Sequence, residues 1–251
     1  MISIITVCWN DISGLQKTLA SLNSQSDQDY EWVVVDGGSS DGSQDFGQQE
    51  IRVNKFVPGP DKGIYDAMRK GLLAATGEYV WFLNAGDELS APNTISLVKT
   101  YLGSSDLVLF DAEVMAGNER IGIKLAKDFV KASWYSVPAN QQATLYRRNC
   151  LKESDFQHPF SICGDFFMSS VLFKRGALGR TVNVSVAKFY LGGVSTFRIF
   201  KLISQAYIIQ RDILQLSMAR RMFSVIRRFL SCFITLAIFY GKNKRHHLSK
   251  A

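Results

Sequence analysis

Over its first 111 residues the chain alternates short apolar runs with stretches of helical periodicity. Residues 2–7 read as a buried strand, and Ser13 with Gln16 three positions on fits a capping box opening a helix to about residue 24. Residues 31–36 form a second apolar run that ends in Asp36 and leads into the Gly- and Ser-rich loop 37–43. A third strand is predicted over 51–57, stopped by Pro58-Gly59-Pro60. Ile64, Met68, Leu72 and Ala75 then fall at helical spacing, with Gly77 as the stop. Residues 79–83 are a fourth apolar run, breaking abruptly into Asn84-Ala85-Gly86-Asp87-Glu88. Pro92 suits the first turn of a helix to about residue 102, and 106–111 reads as a fifth strand with Asp111 and Glu113 at its end. This alternation predicts a mixed, mostly parallel α/β sheet with helices on both faces. Sheets of that kind bind ligands at the carboxyl ends of their strands, where Asp36, Asp61 and Asp87 fall.

Beyond residue 111 the pattern loosens. A hairpin turn is expected at 115–120, a short strand at 143–147, a helix over 166–176 preceded by Gly164-Asp165, a last strand at 182–190 and a small-residue loop at 191–196. The domain so outlined spans 1–196, with a boundary between halves at 111. Residues 197–251 follow as an amphipathic helical tail.

At 251 residues and 47% hydrophobic content the chain can bury a large core. Its net charge of +7 is unevenly placed. Residues 198–251 hold 11 of the 29 Lys and Arg and one of the 22 acids, a surplus of ten positive charges, so the remaining residues carry three more acids than bases. The tail pairs Arg220-Arg221 and Arg227-Arg228 seven residues apart, which marks a cationic edge on a helix. Its apolar run 229–240 falls short of the roughly 20 residues that span a bilayer and predicts an interfacial or partner-packed helix, with Lys242, Lys244 and Arg245 suited to anionic lipid. Packing of the tail on its own domain, or dimerisation through it, is the alternative. Cys8, Cys150, Cys163 and Cys232 have no metal-ligand spacing and imply reduced thiols, and the first residues show no signal-peptide pattern. A cytoplasmic protein peripheral to the inner face of the cell membrane is expected. No Walker A loop or GxGxxG occurs, and nucleic-acid binding lacks interleaved aromatic and basic residues.

Thr6-Val7 through Asn10, Val35-Asp36-Gly37-Gly38-Ser39-Ser40-Asp41-Gly42, Asp61-Lys62-Gly63-Ile64-Tyr65-Asp66-Ala67-Met68 and Gly77-Glu78-Tyr79 through Asp87, in that order, resemble the family 2 glycosyltransferases with their GT-A fold. Gln142-Ala143-Thr144, Tyr146-Arg147-Arg148 and Gly192-Gly193-Val194-Ser195 add a likeness to bacterial exopolysaccharide enzymes of the colanic-acid type. The resemblance implies an inverting transfer from a nucleotide-sugar donor to a glycan, lipid-linked or otherwise. Asp36 would bind base or ribose beside Thr6, Val7 and Asn10. Asp61, Lys62, Asn84, Ala85 and Gly86 would line the donor site, Asp87 would hold Mg²⁺ or Mn²⁺, and Asp165 would be the general base. Glu113, Trp134 and Gln142 are candidates for acceptor contact.

This sequence departs from the family where Asn84 and Gly86 replace usual aspartates, leaving Asp87 and at most Glu88 for a metal, and where Gln141 replaces a usual His. Plainer roles stand beside these. Asp165 fits a helix cap, Asp36 and Asp41 fit turns, Lys62 fits a solvated charge and the tryptophans fit core positions. Two other functions stay open, a catalytically silent glycosyltransferase-like subunit and a nucleotidyltransferase of related fold.

Overall fold

The computed structural model describes residues 1–190 and 198–230. Four strands, β1 (Ile2–Cys8), β2 (Tyr30–Asp36), β3 (Lys55–Pro58) and β4 (Tyr79–Phe82), run parallel in the order β3-β2-β1-β4. Helices α1 (Ile12–Asn23), α2 (Ser43–Gln49) and α3 (Ile64–Ala74) connect them. After β4 come β5 (Glu88–Leu89), α4 (Thr94–Lys99), β6 (Leu107–Ala116), β7 (Glu119–Lys124), α5 (Phe129–Ala132) and β8 (Thr144–Arg147). The chain continues through α6 (Gly164–Lys174), β9 (Gly179–Tyr190) and α7 (Ile199–Asp212). The nine-stranded sheet reads β3-β2-β1-β4-β8-β6-β9-β5, with β7 paired to β6. The fold is the expected GT-A type of mixed sheet, with β8 antiparallel to both β4 and β6.

The apolar runs are continuous because both faces are covered. Ile4, Trp32, Val34 and Trp81 pack on one face with Leu15 and Leu22 of α1 and Val98 of α4. Ile5, Val33, Val35, Val80 and Phe82 pack on the other with Met68 and Leu72 of α3 and Met168 and Leu172 of α6. The period-two alternation of each strand thus divides its side chains between two cores.

Several expectations need correction. Ser13 does not cap α1: the Asp11 carboxylate, two residues earlier, accepts from the Gly14 N–H at 2.9 Å, and Ser13 only donates to Asp11. The third strand begins at Lys55 rather than 51, because α2 fills residues 43–49, which carry no clear sequence pattern, and leaves Ile51 94% exposed beyond its end. Ile64, placed on the buried stripe of α3, is exposed in its first turn, and the helix after Pro92 spans only Thr94–Lys99. The loop expected at 191–196 and the tail beyond residue 230, including most of the apolar run 229–240 and the polybasic end, lie outside the described residues.

Candidate active site

The parallel register brings the carboxyl ends of β1 to β4 to one edge, and the candidate donor residues line it. Thr6 and Val7 build the edge from within. The Thr6 hydroxyl donates to the Leu83 carbonyl at 2.7 Å and accepts from the Trp32 indole at 2.9 Å, and the Val7 carbonyl accepts from the Ala85 N–H at 3.1 Å. These bonds pin the loop after β4 beside β1. Asn10 takes a positive φ of 49° and joins the loops after β1 and β2: its N–H donates to the Ser39 hydroxyl and its side-chain carbonyl accepts from the Ser40 N–H, both at 2.8 Å.

Asp36 ends β2 fully buried. One carboxylate oxygen accepts from the Gly38 and Ser39 N–H groups at 2.9 and 2.8 Å, while the other is buried with no partner. A buried acceptor left open is costly unless something completes it, so this oxygen has the properties of a ligand contact. Asp61 lies directly over Gly37, where a Cβ would come 2.5 Å from its Oδ2, and Trp9 flanks the same glycine. Glycine at 37 is what lets the loops after β2 and β3 meet. Lys62 is exposed at the start of α3, its backbone N–H donating to Asp66 at 3.2 Å.

In the loop after β4, Gly86 has a φ of +88° and its N–H donates to the Gly14 carbonyl at 2.9 Å, docking the loop on α1. Asp87 Oδ2 accepts from the Asn84 N–H at 3.2 Å and Oδ1 from Gln142 Nε2 at 3.3 Å. Burial pushes the Asp87 carboxyl up to about 7, although Gln142, the Asn84 amide and Lys17 pull it down. Glu88 is otherwise engaged. It pairs with Lys188 at 3.3 Å and Lys17 at 3.5 Å and accepts from the Tyr190 hydroxyl at 2.8 Å. Burial alone would raise its pKa, but those partners hold it below the usual range.

Among the described residues no group of three or more His, Cys, Asp or Glu could hold a metal. The oxygens left at the edge are the Asp87 carboxylate and the side-chain carbonyl of Asn84, which is buried without a partner. That set fits a hard dication only when a diphosphate supplies further oxygens, the way Mg²⁺ is commonly held by one or two carboxylates with substrate phosphates.

Asp165 stands in the first turn of α6, half-buried. Cys163 occupies the cap position, so Asp165 is not the helix cap. Its Oδ1 accepts from the Tyr65 hydroxyl at 3.1 Å, which carries it to the sheet edge where α3 begins. Gly164 makes this contact possible, since a Cβ there would lie 2.1 Å from the Tyr65 ring. Burial raises the Asp165 pKa, against the Tyr65 hydrogen bond and the charge of Lys124. Behind α6, Gln205 of α7 accepts from the Ile162 and Cys163 N–H groups at 3.0 and 3.1 Å, tying the segment that leads into the helix to α7. Beside Tyr65, a pocket of about 650 Å³ opens between the start of α3 and residues 156–161, lined by Lys62, Arg69, Phe156, His158 and Phe160.

The three acceptor candidates are dispersed. Gln142 touches Asp87. Glu113 sits within β6, facing Arg120 of β7 at 3.9 Å. Trp134 packs into the tail, near Phe223 and under Arg220. Tyr65 and Gln205 were missed because each acts on an element about 100 or 42 residues away in the chain, and no local pattern announces such a bond.

The mixed nine-stranded sheet, with acidic residues gathered at the carboxyl edge of its parallel strands, defines an α/β protein with a GT-A type of fold. The model of the family described as glycosyl transferase family 2 matches residues 3–176, and the chain belongs to that family. A PGL/p-HBAD biosynthesis glycosyltransferase of Mycobacterium bovis is 31% identical over 211 residues, 78% of this chain and 79% of the relative. An uncharacterized glycosyltransferase of Mycobacterium tuberculosis is 32% identical over 132 residues, and the match spans 48% of each chain, about half that relative's length. The fold is similar to that of S. aureus TarS 1-349 with UDP-GlcNAc, at a TM-score of 0.67, 17% identity and coverage of 92% of this chain and 72% of that one. It is also similar to the mannosyltransferase PcManGT of Pyrobaculum calidifontis with GDP-Man and Mn²⁺, at a TM-score of 0.63, 14% identity and coverage of 98% and 80%.

Proposed function

We propose that the protein transfers a sugar from a nucleoside diphosphate sugar to a hydroxyl of a lipid-linked glycan in bacterial surface polysaccharide synthesis, with inversion, while lying peripherally on the inner face of the cell membrane. One observation carries this reading: Asp36, with an open buried oxygen, and Asp165, a desolvated carboxylate held by Tyr65, serve the same sheet edge. The donors bound by the structural neighbours, UDP-GlcNAc and GDP-Man, support a nucleotide-sugar substrate.

Asp36 accepts a hydrogen bond from the nucleoside through its free oxygen, and Lys62 supplies a mobile positive charge near the phosphates. Asp87 and Asn84 would hold Mg²⁺ or Mn²⁺, with oxygens of the donor diphosphate completing the set. The dication, when bound, offsets the negative charge that gathers on the departing diphosphate. Asp165 takes the proton of the acceptor hydroxyl as its oxygen bonds to the anomeric carbon and the bond to the diphosphate breaks on the opposite face. A carboxyl with a raised pKa is a stronger base once ionised, so burial of Asp165 serves this role.

A silent subunit is the second reading, favoured by the engagement of Glu88 and the amide at Asn84. The two separate with Asp165→Asn. Release of nucleoside diphosphate from a panel of nucleotide sugars, in the presence of lipid-linked saccharides, should fall about 10²- to 10⁴-fold. Donor affinity should stay within about twofold, since Asp165 touches no donor residue named here. Undiminished release by the variant would remove Asp165 as the base.

A further inference from the structure

After Asp212 the chain turns and is helical again over residues 218–230, and this stretch is amphipathic in the reverse sense. A helix on a water-soluble domain normally turns its apolar stripe inward. Here Met218, Met222, Ile226 and Leu230, at steps of four, are all exposed, with Phe223 beside them 57% exposed. The inward side is polar and cationic. Ser224 is fully buried and accepts from Gln210 at 2.7 Å, and Arg221 donates to the Tyr207 hydroxyl at 3.1 Å. Arg227 stacks over the Tyr135 ring at 4.1 Å, and Arg228 donates to the Tyr135 carbonyl at 2.8 Å while lying over Phe166 of α6 at 4.8 Å. The helix is therefore held to the body by its arginines, and its apolar side faces out.

We propose that this outward stripe, with the 80% exposed Phe200 of α7 next to it, is the surface that enters the interfacial region of an anionic lipid bilayer. The proposal rests on the membrane-peripheral reading above and names the face that performs it. Contiguous exposed apolar side chains mark an interaction surface, and the local charge selects lipid. Arg220 is exposed at the border of the stripe, placed for headgroup phosphates. Asp212, the one acidic side chain in residues 198–251, is bonded to Arg211 at 2.6 Å, so its charge is offset by a neighbouring arginine. No described helix is long and apolar enough to cross a membrane, so the contact is in the plane, with the stripe submerged about 5–10 Å. Gln205 ties α7 to the segment entering α6 in this same layer, so docking would set the helix that carries Asp165 against the surface where a lipid-linked acceptor resides.

Flotation of the full chain with vesicles of phosphatidylcholine, with and without phosphatidylglycerol, tests this. The wild type should float with the anionic vesicles. Phe223→Ser combined with Ile226→Ser should lower the bound fraction about tenfold or more, because each side chain loses its burial in the interface. The melting temperature should hold, as both positions are exposed, and Leu73→Ser, at an exposed leucine on α3, should float like the wild type. Equal flotation of the double variant would overturn the stripe while leaving a purely electrostatic membrane contact standing. A wild type that floats with neither vesicle would overturn both readings. A dimer of the wild type that the double variant dissociates, without flotation, would assign the stripe to a second copy of the chain.

Discussion

The sheet edge formed by β1 to β4 and the helical layer formed by α6, α7 and residues 218–230 use opposite rules. In the first, apolar side chains fill two cores and polar groups gather in the loops, bonded to one another except where an oxygen stays open, as at Asp36 and Asn84. In the second, arginines point inward onto aromatic rings and methionine, phenylalanine and isoleucine point out. The contrast teaches that departures from ordinary burial are local and of two kinds. Under the proposed function, the unpartnered buried oxygens at the sheet edge are where a polar ligand completes the protein, and the exposed apolar stripe is where a lipid surface does.

The largest expected break in the first region comes from Asp36→Asn. An amide cannot accept with both of its ends, so it must give up either the Gly38 and Ser39 N–H groups or the ligand. Donor affinity, read by calorimetry, should fall about 10- to 100-fold, the scale of one hydrogen bond to a charged group. Gly164→Ala tests the junction between the regions. Its Cβ must displace the Tyr65 ring, so the melting temperature should drop several degrees, about 2–4 °C per kcal/mol of overpacking, and transfer should fall with it.

How much of this was legible in the chain depends on how local the cause is. β1, β2 and β4 were readable because strands buried on both faces leave unbroken apolar runs, with Asp36 at the end of β2 and Asp87 in the loop after β4. The cap at Asp11 was misplaced onto Ser13 because both carry a suitable oxygen within one turn, and only the bond to Gly14 decides. The start of β3 was misplaced because Ile51 and Val53 look like strand residues, whereas the polar helix α2 ends just before them and leaves Ile51 exposed. Tyr65 on Asp165, Gln142 on Asp87 and Gln205 on the amides just before α6 depend on tertiary contact and leave no mark in the local pattern. The paired arginines were recognised as cationic, but their inward stacking could not be read from spacing.

Asp87 sharpens the comparison through pH. Its carboxyl holds a proton more tightly in the folded chain than in the unfolded one, so it favours folding below the ordinary aspartate range, and this advantage is lost as pH rises through about 7. Asp87→Asn should therefore melt within error of the wild type below about pH 4, and higher by a margin that grows through pH 5 and 6 to a few degrees near pH 8, in the absence of nucleotide and metal. The smallest effect is expected for Tyr65→Phe. Loss of a hydrogen bond that favours the ionised Asp165 should move the acid limb of the rate profile to higher pH and slow neutral turnover about two- to tenfold, with donor affinity unchanged.

The most direct measurement of the central claim is thermal melting of the full chain with a panel of nucleoside diphosphates, each with and without Mn²⁺. At least one nucleotide should raise the melting temperature, more so with Mn²⁺ than without it, and Asp36→Asn should abolish the shift. No stabilisation by any nucleoside diphosphate at millimolar concentration, with or without the metal, would contradict a donor site at this sheet edge.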